Sequence, residues 1–171
     1  MRTSRFAVTI EGIEAYLFVE EARIFVDIAL DLRAIMETPA LGEDPVRERL
    51  FPRAYLDPTE ETAEMTWADY AHPELLESRV ATLVMLIESI KRIEDAPADR
   101  NAGDLKMVLL SPDETEAWLK GLNDLRLALG TKLNISDDDN EIDPDDPHAQ
   151  LRGIYDWLTA LQQDLLEEVY L

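Results

Sequence analysis

Seven carboxylates fall between Asp137 and Asp146, in a run that opens at Ser136. Such a density suits either a hard cation or a cationic protein surface. The calcium-loop pattern fails here. Counting from Asp137, the sixth position is Ile142 where a glycine is needed, and the twelfth is His148 where a bidentate glutamate is needed. The stretch therefore reads as a solvated acidic loop over about 136–146. Asp137, Asp138, Asp139 and Glu141 are candidate contacts for a basic partner.

A second polar constellation lies in Asn123-Asp124-Leu125-Arg126-Leu127. If Trp118, Leu122, Leu125 and Leu129 form the buried stripe of a helix, Leu127 points nearly opposite and Asn123 and Arg126 fall on the flank. A partly buried guanidinium needs a partner. Asp124 is two positions away and points elsewhere, so Asp156 is the carboxylate expected to clamp Arg126. Asn123, Arg126 and Asp156 form the candidate polar cluster.

Conventional catalytic chemistry finds little support. The two histidines, His72 and His148, stand alone beside Pro73 and Pro147, and there is no cysteine. Thiol redox switching, zinc–thiolate sites and cysteine nucleophiles are excluded for this chain itself. No glycine-rich phosphate loop, Gly-x-Ser-x-Gly or His-Glu-x-x-His occurs, so the sequence implies no cofactor and no metal. With 37 Asp and Glu, no single acid pair is singled out as an acid/base couple.

Charge narrows the partners. Up to Leu56 there are ten acids against seven bases; from Asp57 onward there are 27 against nine, which places most of the net charge of −21 in the second part. A surface at this potential repels phosphate and attracts basic protein. Direct nucleic-acid binding is disfavoured. No run is long and apolar enough to span a bilayer, and Met1 to Glu11 lacks the features of a secretory signal, so a cytoplasmic location is expected.

The elements that would hold these groups read as mainly α, a single-domain helical bundle over 1–171 with a minimal antiparallel β pairing. Phe6, Val8 and Ile10 alternate as in a strand over 5–10. Helices are predicted over about 12–37, with Leu17, Ile24, Ile28, Leu32 and Ile35 along one stripe, and over 45–51 after an Asp44-Pro45 start. Further helices follow over 59–71, as a lid, and over 73–94, the central core helix. A strand at 106–110 precedes Ser111-Pro112-Asp113-Glu114, whose capping chemistry opens a helix over 112–130. The last helix spans 147–169. An offset of 102 residues aligns Glu14-Ala15-Tyr16-Leu17 with Glu116-Ala117-Trp118-Leu119. Read as a repeat of two strand–helix units, it predicts that 5–10 pairs directly with 106–110; shared capping chemistry is the competing explanation.

Asp44 to Tyr55, Glu116 to Leu119, Asn123 to Gly130 and Tyr155 to Gln162 together resemble an actinobacterial family catalogued as domain of unknown function 2017. The resemblance covers nearly the whole chain and is most specific from Glu116 to Gln162. It implies an actinobacterial source and an oxidative-stress transcriptional regulator of the AosR type. This chain has no thiol with which to sense oxidant and its charge opposes direct DNA contact; without a catalytic motif, it is expected to be non-catalytic. It would bind a basic protein, such as a sigma factor or RNA polymerase subunit, rather than DNA. Three alternatives stay open: a metal-dependent hydrolase using clustered carboxylates, an adaptor linked to regulated proteolysis, and a structural homodimer joined through Leu127 or the Tyr16 to Val19 patch.

Overall fold

The computed structural model describes residues 4–38, 44–54, 57–96, 103–134 and 145–170. Its elements are β1 (Phe6–Val8), β2 (Ile13–Phe18), α1 (Val19–Glu37), α2 (Pro45–Leu50), α3 (Glu61–Asp95), β3 (Leu105–Leu110), α4 (Pro112–Lys132) and α5 (Ala149–Tyr170). Mainly α with a small antiparallel sheet is therefore the architecture.

The sheet itself departs from expectation. It has three strands in the order β1-β2-β3, so 5–10 does not pair with 106–110; β2 lies between them. The apolar spacing places Ile13 to Phe18 in the first helix. Instead Ala15 and Leu17 are buried and Phe18 is exposed, a two-residue period that a helix cannot produce. Gly12 makes the hairpin possible. Its φ is +151°, and a Cβ there would lie 2.4 Å from the Leu110 carbonyl oxygen, so no side chain fits. The 102-residue similarity is accidental, because Glu14 to Leu17 are strand and Glu116 to Leu119 are helix.

Shortened to Val19–Glu37, α1 buries Ala22, Phe25, Val26, Ala29, Leu32 and Met36. Ile24, Ile28 and Ile35 flank this stripe rather than define it. Arg47 of α2 closes its end, donating from one guanidinium nitrogen to the carbonyls of Ile35 and Met36 at 2.9 and 2.7 Å. Those are carbonyls that a helix C-terminus leaves without intrahelical partners.

Pro73 does not separate two helices. It sits inside α3, which runs unbroken from Glu61 to Asp95. The bond that Pro73 cannot donate belongs to the carbonyl of Asp69, an exposed position where water can answer it. The second half of α3 is the core segment, with Leu83, Leu86, Ile87, Ile90 and Ile93 buried, while Met85 faces outward.

Four aromatic rings tie the layers. Trp118 of α4 meets Phe6 of β1 and Phe25 of α1 edge-on at centroid distances of 5.9 and 5.5 Å, and Phe25 meets Trp157 of α5 at 5.7 Å. Edge-to-face pairs of this kind add about 1 kcal/mol each beyond the area they bury. The sheet is thereby fixed to the bundle that positions α4. Among the described residues no helix is long and apolar enough to cross a membrane.

Candidate functional site

Helix α4 carries the polar groups that matter. Its start is fixed by the capping box: Ser111 Oγ accepts from the Glu114 N–H at 3.2 Å, and Glu114 accepts from the Ser111 N–H at 2.9 Å. Arg92 of α3 adds a bond to Glu114 at 2.9 Å. Burial pushes the Glu114 carboxyl up, but the Ser111 N–H and Arg92 outweigh it and hold the group below its ordinary value. Pro112 occupies the first turn, where its missing N–H costs nothing.

Ala117, Gly121, Asp124 and Ala128 are buried at helical spacing along α4, and of these Gly121 and Asp124 meet α3. A Cβ on Gly121 would lie 2.7 Å from the Leu86 side chain, so the two helices approach through that gap. Two polar contacts bridge the approach. Trp118 Nε1 donates to Ser89 Oγ at 2.7 Å, and Ser89 in turn donates to the Leu86 carbonyl. Arg79 pairs with Asp124, whose side chain is only 4% exposed. Burial pushes Asp124 up, and Arg79 offsets only part of that rise.

Toward α5, the arrangement is different in kind. Arg126 Nε donates to Thr159 Oγ1 at 3.0 Å, a second guanidinium nitrogen donates to Gln162 Oε1, and the group lies over the Tyr155 ring at 5.6 Å. Thr159 is free to accept because its own proton goes to the Tyr155 carbonyl at 2.9 Å. The expected Arg126–Asp156 ion pair does not form. Asp156 is exposed, as is Asn123. Of that cluster, only Arg126 enters the α4–α5 seam. Tyr155, Thr159 and Gln162 recur at intervals of four and three, so the signal for neutral partners was present on the facing helix.

Asp124 is the residue that reasoning from Arg126 alone passed over. Its partner is 45 positions away on α3. The usable signal was its place in a stripe of small residues, where an acid would be buried and need a cation.

Asp137, Asp138, Asp139 and Glu141 lie outside the described residues. The end of the acidic run is described: Asp146 accepts from the His148 N–H at 2.8 Å and from Arg152 Nε at 2.6 Å, and these bonds hold its carboxyl below the ordinary value. His148 is exposed. His72 packs against the rings of Phe51 and Trp67. Among the described residues no group of three or more His, Cys, Asp or Glu is placed to hold a metal ion.

Residues 1–169 match the family described as Domain of unknown function (DUF2017). The chain belongs to the DUF2017 family. Similar proteins are the "Oxidative stress regulator AosR" of Mycobacterium tuberculosis (strain ATCC 25618 / H37Rv) and of Mycobacterium bovis, each 30% identical over 135 residues. That match covers 72% of this DUF2017 chain and 57% of each relative, so the chain spans little more than half the length of the proteins it resembles. No solved structure matches.

Proposed function

We propose that this DUF2017 protein is a non-catalytic regulator, of the oxidative-stress class named for its relatives, that acts by capturing a basic protein surface rather than DNA. A sigma factor or RNA polymerase subunit has the required chemistry, because a surface that faces nucleic acid is cationic. The observation that carries this reading is the net charge of −21, most of it from Asp57 onward. Such a field speeds encounter with a cationic protein and opposes a polyanion. The similarity to proteins named as regulators supports the role. With no cysteine in this chain, an oxidant signal would have to be sensed by the partner or by another group.

The acidic stretch supplies the contact in this reading, through Asp137, Asp138, Asp139 and Glu141. The test is capture of a purified sigma factor, measured by biolayer interferometry across a salt series. The quadruple change Asp137→Asn, Asp138→Asn, Asp139→Asn and Glu141→Gln should weaken capture by about tenfold or more and flatten the salt dependence. Capture that ignores both salt and these substitutions would refute the electrostatic mechanism. Tight binding of plain duplex DNA would refute the choice of partner.

A further inference from the structure

Most of the described arginines are answered by an acid. Among the described residues every arginine other than Arg47, Arg49 and Arg126 reaches a carboxylate. Arg47 is committed to the carbonyls at the end of α1. In a chain with 37 acids and 16 bases, the other two of these three described guanidiniums, Arg49 and Arg126, are the exception to be explained.

Both exceptions line one cleft. Arg49 of α2 is exposed and makes no hydrogen bond or ion pair among the described residues. Arg126 is braced from beneath by Thr159, Gln162 and the Tyr155 ring, all neutral. They border a cavity of about 350 Å³ whose other walls include Leu127, Gly130 and Tyr155. That volume lies at the lower end of the range used for small ligands. Gly130 lets the Tyr155 ring pack close to α4: a Cβ there would lie 3.3 Å from the ring. A guanidinium fixed by neutral acceptors keeps its charge unspent and its remaining N–H groups directed.

The chemistry of the ligand follows from what else borders the cleft. Thr131 lies in the last turn of α4 and Asn134 just past its end, where helix carbonyls concentrate negative potential. With the overall acidity of the chain, this opposes a multiply charged anion. Leu127 and the Tyr155 ring offer apolar contact to the body of a molecule that carries one charged group. The geometry points to a binding site for a small monocarboxylate, seated between Arg49 and Arg126 with its apolar part on Leu127 and Tyr155.

The test is an NMR titration of the whole chain with benzoate, following the Arg126 Nε–H resonance, with benzamide as the neutral isostere and inorganic phosphate as the rival anion. Sodium chloride at matched ionic strength sets the baseline. Benzoate should saturate, benzamide should bind at least about tenfold more weakly, and phosphate should not compete effectively. Arg49→Gln, at an exposed position, leaves the fold intact and should weaken benzoate about tenfold. Arg126→Lys retains the charge but loses the fork and should also weaken it. Benzamide binding as well as benzoate, phosphate binding more tightly, a response that never saturates, or an Arg49→Gln protein that binds normally would each overturn the assignment.

Discussion

The two sides of α4 solve the same problem in opposite ways. Facing α3, the Asp124 carboxylate is buried against Arg79; facing α5, Arg126 is held by a hydroxyl, an amide and an aromatic ring. An ion pair in the interior must recover its desolvation cost from its own attraction, and at Asp124 burial pushes the carboxyl up further than Arg79 brings it down. Neutral acceptors cost less to bury and leave the cation available to something else. The α3 side thus holds a spent charge pair, and the α5 side leaves a cation for the proposed carboxylate site.

The comparison breaks most visibly at Asp124. Asp124→Ala would leave Arg79 without its counterion and open a gap between α3 and α4, at a cost of about 3 kcal/mol in urea denaturation. Replacing both partners, as Arg79→Met with Asp124→Leu, should recover most of that loss, because two apolar side chains of suitable volume carry no desolvation penalty. A double variant as unstable as the single one would show that the pair does more than neutralise itself.

Ser89→Ala probes the same face with a neutral contact. It leaves Trp118 Nε1 buried without an acceptor, and a loss of about 1–2 kcal/mol is expected by the same measurement. An unchanged midpoint would mean that the indole N–H is answered in another way.

Much of this frame was legible in the sequence, and the failures have local causes. The capping box at Ser111 and the stripe through Trp118, Leu122, Leu125 and Leu129 are where the residue pattern places them. Ile13 to Phe18 misled because Leu17 falls seven residues before Ile24, a spacing that a helix and a strand–helix junction can both satisfy; Gly12 was the deciding residue. Pro73 reads as a terminator in the sequence, although a proline whose lost bond faces water can ride inside a long helix. Partners were harder than elements. Arg79–Asp124 depends on how α3 and α4 pack, which a periodicity in either helix does not contain, and Asp156 was chosen for Arg126 by charge when the facing helix offered polar neutral groups.

Acid titration sharpens the contrast by sign. Glu114 is held below its ordinary value, so its contribution is complete at neutral pH and is lost as pH falls through its native titration. Asp124 is raised, so the native state holds its proton more readily than the unfolded chain, and stability declines as pH rises through that titration. Glu114→Gln should therefore lower stability by about 1 kcal/mol at pH 7 and converge on the parent near the acid limit, read as melting temperature against pH. Parallel curves for parent and variant would exclude the bonded carboxylate as the source.

The smallest effect is expected where the guanidinium has neutral company. Arg126→Met keeps most of the aliphatic contact with Tyr155 and removes two hydrogen bonds, while Thr159 retains its bond to the Tyr155 carbonyl and Gln162 lies at a half-buried position open to water. Removing a cation from a strongly negative chain also forfeits some long-range attraction. Together these should cost no more than about 1 kcal/mol, well below the Asp124→Ala loss, measured by the same denaturation. Because stability and benzoate binding are then separable at one residue, Arg126→Met also divides the two faces by function: a large stability loss would make Arg126 a second clamp, equivalent to Arg79 and unavailable to a ligand.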